Sequence, residues 1–170
     1  MFHHRRPSTR SLIGRALLAG VSAGLRSMTP GGVMARTRDD APARTGWKDW
    51  PMVRSSVGRS VLQLAWIGEL VGDKLPVTPP RTEPGSLTGR IVTGALTGLA
   101  ITSGVQGAAP KMTGILAGGT GALAGSYGGY AGRTFLTEKL KLPDLPGALL
   151  EDALAFSLAY RAITGKRPTR

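Results

Sequence analysis

Glu69 and Asp73 stand four residues apart at the end of an apolar run, SVLQLAWIGELVGDKLP, with Lys74 next and Pro76 closing the segment. On a helix that spacing puts both carboxylates on one face, where two anions repel unless a cation, a proton or water relieves them. A second acidic pair, Glu151 and Asp152, interrupts the last apolar segment, GALLEDALAFSLAYRAIT. The first apolar segment ends in Arg26-Ser27-Met28-Thr29-Pro30, followed by Gly31-Gly32. Pro30 removes a backbone donor and the glycines loosen the chain, so a helix is expected to stop or break here. An arginine at such a break can serve the orphaned carbonyls or bind a phosphate. Arg26, Ser27, Thr29, Glu69, Asp73, Lys74, Glu151 and Asp152 therefore make a candidate polar site for an ion, a proton or an anionic head group. The structural alternative is that Glu69 with Arg26, or Glu151 with Arg15, only lock helices together as neutralised pairs. Five arginines near apolar segments compete as partners for Glu69: Arg15, Arg26, Arg59, Arg90 and Arg161.

Much other chemistry is ruled out by composition. There is no Cys, which excludes thiol catalysis, thiolate metal sites and disulfides, and both histidines, His3 and His4, lie in the N-terminal tail. No nucleophile–base pair, metal-ligand motif or phosphate loop can be read. No enzyme, no cofactor and no metal are expected. The net charge of +12 suits nucleic acid, an anionic surface, or basic loops around apolar helices. Aromatic content of 5% leaves few stacking platforms, so nucleic acid is not expected as a partner.

Those residues need elements to hold them. Residues 1–10 form a basic tail, 11–164 one helical domain and 165–170 a second basic tail. Within the domain, 30–57 reads as a polar interfacial loop carrying Trp47 and Trp50, and 76–86 as a Pro-rich loop. A helix is expected over 58–75, an amphipathic stretch over 133–145, and a last helix from Pro146. Ile91 to Pro110 is 20 residues without a charge, and Met112 to Gly132 is 21, with 108–111 as a tight turn between them. A bilayer core needs about 20 apolar residues per helix. The expectation is thus an all-α, polytopic protein of four to five hydrophobic helices in the cell membrane (the bacterial inner membrane), with membrane lipids as partners and a homo-oligomer admissible. Arg15 and Arg26 bracket only ten residues, so the first helix is expected to enter the bilayer halfway.

The 25 glycines set the packing. Gly114, Gly118, Gly121, Gly125 and Gly129 recur at three- and four-residue spacing, a flat strip on which another helix can approach closely, and Gly94 and Gly98 could meet it. At an offset of 97, Gly24 aligns with Gly121, Gly31-Gly32 with Gly128-Gly129, and Arg36 with Arg133. That register suggests an inverted repeat of the kind found in transporters.

GLRSMTP (24–30), ELVGDKLPVTPPRT (69–82), GRIVTGALTG (89–98) and LPGALLEDALA (145–155) together resemble the bacterial membrane proteins grouped as domain of unknown function 4126. The resemblance runs from about Leu12 to Ala162 and maps the family pattern onto Arg26, Pro30, Glu69, Asp73, Lys74 and Pro76. It implies several membrane helices and no established activity. Two functions follow as expectations: a small transporter, channel or lipid-handling protein built on the polar site, or a non-catalytic scaffold or assembly factor whose charges only pair helices.

Overall fold

The computed structural model describes residues 8–40, 46–72, 83–139, 141 and 143–165. The described chain is all-helical. In order it runs α1 (Thr9–Leu25), α2 (Thr29–Thr37), a 3-10 turn (Gly46–Asp49), α3 (Pro51–Arg54), α4 (Ser56–Gly72), α5 (Pro84–Thr102), α6 (Ala108–Thr134), a π turn (Phe135–Lys139) and α7 (Asp144–Thr164).

Local chemistry sets these bounds. The Ser8 hydroxyl accepts from the Ser11 amide at the start of α1, a side-chain N-cap. At the other end Arg26 turns extended, with φ −144° and ψ 107°. Pro30 then sits in the first turn of α2, where its missing N–H costs nothing. Ser103 to Gly107 separate α5 from α6, and Gly107 has φ +100°, a conformation that L side chains rarely adopt. The turn expected at 108–111 is therefore already α6, because Gly107 supplies the reversal and Pro110 is tolerated in the first helical turn. Gly165, at φ +71°, closes α7 in the left-handed conformation.

α1, α5 and α6 pack as a glycine-faced trio. A Cβ on Gly20 would strike the Gly118 backbone, and one on Gly24 the Ala122 backbone. On the neighbouring face of α6, Gly114 and Gly118 meet Gly98 and Gly94 of α5. Gly121 and Gly125 lie against Leu17 and Val21 of α1, whereas Gly129 is half-buried. Small residues let the backbones touch. Hydroxyls within these helices turn back on their own carbonyls: Thr93 on Gly89, Thr97 on Thr93 and Thr102 on Gly98. Their polarity is thus consumed locally. Because the Val21 carbonyl occupies the space beside Gly125, Gly125→Leu is expected to cost about 1–3 kcal/mol by overpacking. A thermal melt matching the unmodified chain would mean that α1 does not pack on this face.

The second layer is more conventional. Leu12, Val33, Met34, Trp47, Val53, Ile101 and Ile163 form a core under α2 and α3. Trp47, expected at an interface, is completely buried, and residues 30–57 supply α2, the 3-10 turn and α3 in place of a plain loop. The side chains of a short amphipathic helix need a core to sit on, and Trp47 is the largest piece of it. α7 is tied to α1 by polar contacts. Arg15 donates to the Ala162 and Ile163 carbonyls at 2.6 and 2.7 Å, and the Ser22 hydroxyl to the Ala155 carbonyl at 2.7 Å. Burial lowers the Arg15 pKa, yet a guanidinium stays charged at any physiological pH and completes the exposed carbonyl end of α7.

Two expectations are corrected here. Among the described residues no helix is long and apolar enough to cross a membrane, so the polytopic fold and the assignment to the cell membrane are overturned. The two long runs are uncharged rather than apolar. α6 carries Gly114, Gly118, Gly119, Gly121, Gly125, Gly128, Gly129 and Gly132 among its 27 residues, and glycine adds no apolar side chain to transfer into lipid. α1 and α4, at 17 residues each, fall short in length as well. The inverted repeat fails at the same place: its register sets the Arg26–Met28 break against residues 123–125, mid-way along an α6 that continues unbroken to Thr134.

Candidate functional site

The polar site is the gap between α1 and α2. Ending one helix at Leu25 and starting the next at Thr29 exposes carbonyls on one side and amides on the other. Both sets are served from other helices. Glu69, on α4, accepts from the Ser27 amide at 2.7 Å and the Ser27 hydroxyl at 2.6 Å through Oε1. Its Oε2 accepts from the Met28 amide at 2.7 Å. Arg90, on α5, donates through Nη1 to the Gly24 carbonyl at 2.9 Å and the Leu25 carbonyl at 2.8 Å. The Ser126 hydroxyl of α6 also reaches the Gly24 carbonyl, at 3.2 Å.

Electrostatically the gap is complementary. A carboxylate faces the amide end of α2 and a guanidinium the carbonyl end of α1, the arrangement that helix dipoles favour. Arg90 Nη2 is also 4.0 Å from Glu69 Oε1, so the two caps neutralise each other. Arg26, 1% exposed, turns away to Asp152 on α7, with Nε 2.6 Å from Oδ1.

The expected partners therefore change. Glu69 faces Arg90 where Arg26 was an alternative, Arg26 takes Asp152, and Glu151 lies 4.0 Å from Arg133 rather than beside Arg15. Arg26, Ser27, Glu69 and Asp152 are brought to the break, and Thr29 is buried at its edge. Glu151 points to the other side of α7. Asp73 and Lys74 lie outside the described residues. Arg90, one of the five candidate partners of Glu69, is the arginine that reaches it, and Arg133, outside that set, completes the contact of Glu151. Arg90 carries a readable signal, being the one cation at the threshold of the uncharged run from Ile91, but its carbonyl partners belong to a helix end 65 residues away.

Beyond Glu151 a groove of about 330 Å³ opens between α1, α6 and α7. Val21, Leu25, Gly128, Gly132, Leu150 and Leu154 line it, with Arg133 and Glu151 at its polar margin. Among the described residues no group of three or more His, Cys, Asp or Glu side chains is placed to hold a metal ion. No family model, curated protein or solved structure matches this chain. The likeness to the domain of unknown function 4126 family thus rests on its short motifs alone.

Proposed function

We propose that the protein is a non-catalytic assembly module, a helical scaffold whose buried charges pair its own helices and whose outer faces receive other polypeptides. The observation that carries this reading is the broken helix: Glu69 and Arg90 are both spent on backbone groups of α1 and α2. A carboxylate with both oxygens committed at 2.6–2.7 Å is a poor binding or proton-transfer group. The surface adds support. Val57, Leu64 and Val71 recur at seven-residue spacing along α4, each more than half exposed, and a contiguous apolar face of this kind marks an interaction surface.

The test is a double-mutant cycle on Arg26 and Asp152. Arg26→Met and Asp152→Leu alone each take one charge out of the buried ion pair, whereas the double replacement should return to within about 1 kcal/mol of the starting stability. If the double variant stays as unstable as either single, the pair does more than hold α1 to α7. A second reading has one observation behind it, the groove with its apolar walls and an Arg133–Glu151 margin, which suits one lipid-like amphiphile. A co-purifying lipid in native mass spectra, lost in Gly132→Trp, would carry that reading instead.

A further inference from the structure

The positive charge of the chain is gathered towards one end of the fold. Arg15 donates to the Ala162 and Ile163 carbonyls, so the start of α1 lies beside the end of α7. Gly20 lies against Gly118 and Gly24 against Ala122, both at an offset of 98 residues. α1 and α6 therefore run parallel, and Lys111 stands level with the first turns of α1. Three exposed cations meet at this end: Arg10 on α1, Lys111 on α6 and Arg161 on α7. The chain enters α1 through Arg5 and Arg6 and leaves α7 through Lys166, Arg167 and Arg170. No acid lies before or on α1, on α6, or after Asp152 on α7. Trp47 shares the core of this end with Leu12 and Ile163, so the acids around it must be counted too. Asp39, Asp40 and Asp49 are matched in number by Arg36, Arg38 and Lys48, and Arg38 holds Asp39 at 3.0 Å. Eight cations thus belong to acid-free segments that start or finish here, out of a net charge of +12.

A surface of one sign selects a partner of the other and repels a second copy of itself. Its apolar component narrows the choice. Met112 and Leu116, one turn apart on α6 directly after Lys111, are 56% and 59% exposed. A phosphate backbone offers such side chains nothing, and an aromatic content of 5% leaves bases little to stack on. A bilayer surface is held through far more apolar area than two side chains supply. Cations, mostly Arg, around a small apolar centre that includes Met match the anatomy of a protein interface. We propose that the joined ends of α1, α6 and α7 dock an acidic amphipathic helix of another protein. Its carboxylates meet Arg10, Lys111 and Arg161, and its apolar side chains meet Met112 and Leu116. This rests on the reading of the chain as an assembly module and names the chemistry of its partner.

The test uses the purified full-length protein and a labelled synthetic peptide of about 18 residues, Glu throughout with Leu at three- and four-residue spacing. Fluorescence anisotropy should show saturable binding that weakens as salt rises from about 0.1 to 1 M, where the screening length falls from about 10 to 3 Å. Reversing Arg10→Glu, Lys111→Glu and Arg161→Glu together should weaken binding at least about tenfold, with helical circular dichroism unchanged because all three are exposed. Met112→Ser with Leu116→Ser should weaken it with every charge in place. Lys139→Glu, an exposed cation beyond the far end of α6, should leave it unchanged. Absence of binding, full binding by the triple variant, or an equal loss in Lys139→Glu overturns the proposal. So does tighter binding of a DNA duplex, or of phosphatidylglycerol vesicles, than of the peptide, for phosphate would then be the ligand. If the peptide fails to bind but the Arg26–Asp152 cycle couples, only the docking falls and the module stands.

Discussion

Glu69→Gln is expected to lower stability by about 3 kcal/mol, close to the loss seen when one partner of a buried charged contact is removed. The substitution keeps the shape and changes only charge and donor pattern. An amide has one acceptor oxygen, so it can serve the Ser27 donors or the Met28 amide but not both. Its NH2 group would then point at a backbone N–H. Arg90 at the same time loses the carboxylate 4.0 Å from its Nη2. For a chain of this length the melting temperature should fall by roughly 6–12 °C. Hydrogen exchange should locate the damage, with the Ser27 and Met28 amides losing protection first because Glu69 is their acceptor. A ligand-binding carboxylate gives the opposite pattern, full stability with loss of the ligand. An unchanged melt would remove Glu69 from the structural role and with it the main support for the scaffold reading.

The gap between α1 and α2 also shows what could be read in the chain and what could not. Pro30 and Gly31-Gly32 announce the break because their backbone chemistry is local. The cost of Glu69 at the end of an apolar helix is equally visible, as is its need for a partner. Which cation answers it is not local. Arg90 reaches the break because α5 lies along α1, and that follows from the glycine faces at Gly94, Gly98 and Gly118. Glycine spacing indicates that a helix will be approached closely without naming the helix that does so. Gly121 and Gly125 take α1, while Gly114 and Gly118 face α5.

The environment of the helices is less legible in the chain than the break is, for a physical reason. Freedom from charge over Ile91–Pro110 and Met112–Gly132 is not apolarity, because a run rich in Gly and Thr is neither charged nor strongly hydrophobic. The mean hydropathy of −0.01 carries the same message. Trp47 was misplaced for a related reason. A tryptophan among charges looks interfacial in one dimension, and only the folding of α2 and α3 around it makes it a core residue.

Glycine at the centre has a further consequence for the surface. With backbones in contact at the crossing, the large side chains beside it on α5 and α6 have no interior to fill, and only towards its end does α5 send one, Ile101, into the core. Val92, Leu96, Leu116 and Leu123 accordingly point outward and are exposed. A chain built this way presents apolar faces to its neighbours as a result of its core, which is what an assembly module requires.

Gly118 is where that design is least tolerant. It stands between α1 and α5, with the Gly20 position on one side and Gly94 and Gly98 on the other. A Cβ added to it meets the Gly94 carbonyl, and side chains at Gly20 or Gly94 would meet the carbonyl of Gly118 in turn. Each obstacle is backbone, which cannot rotate aside as a flexible side chain can. Gly118→Ala should therefore cost about 3 kcal/mol, the upper end of ordinary overpacking, despite the better helix propensity of alanine. Gly118→Leu should prevent the three helices from closing and leave no cooperative thermal transition. Gly128→Ala is the control on the same helix. A Cβ there has nothing within 4 Å, so propensity alone acts and the melt should hold or rise, by up to about 1 kcal/mol. Equal melts for the two alanine variants would mean that α1, α5 and α6 do not cross at Gly118, and the account of how Arg90 reaches the broken helix would fail with them.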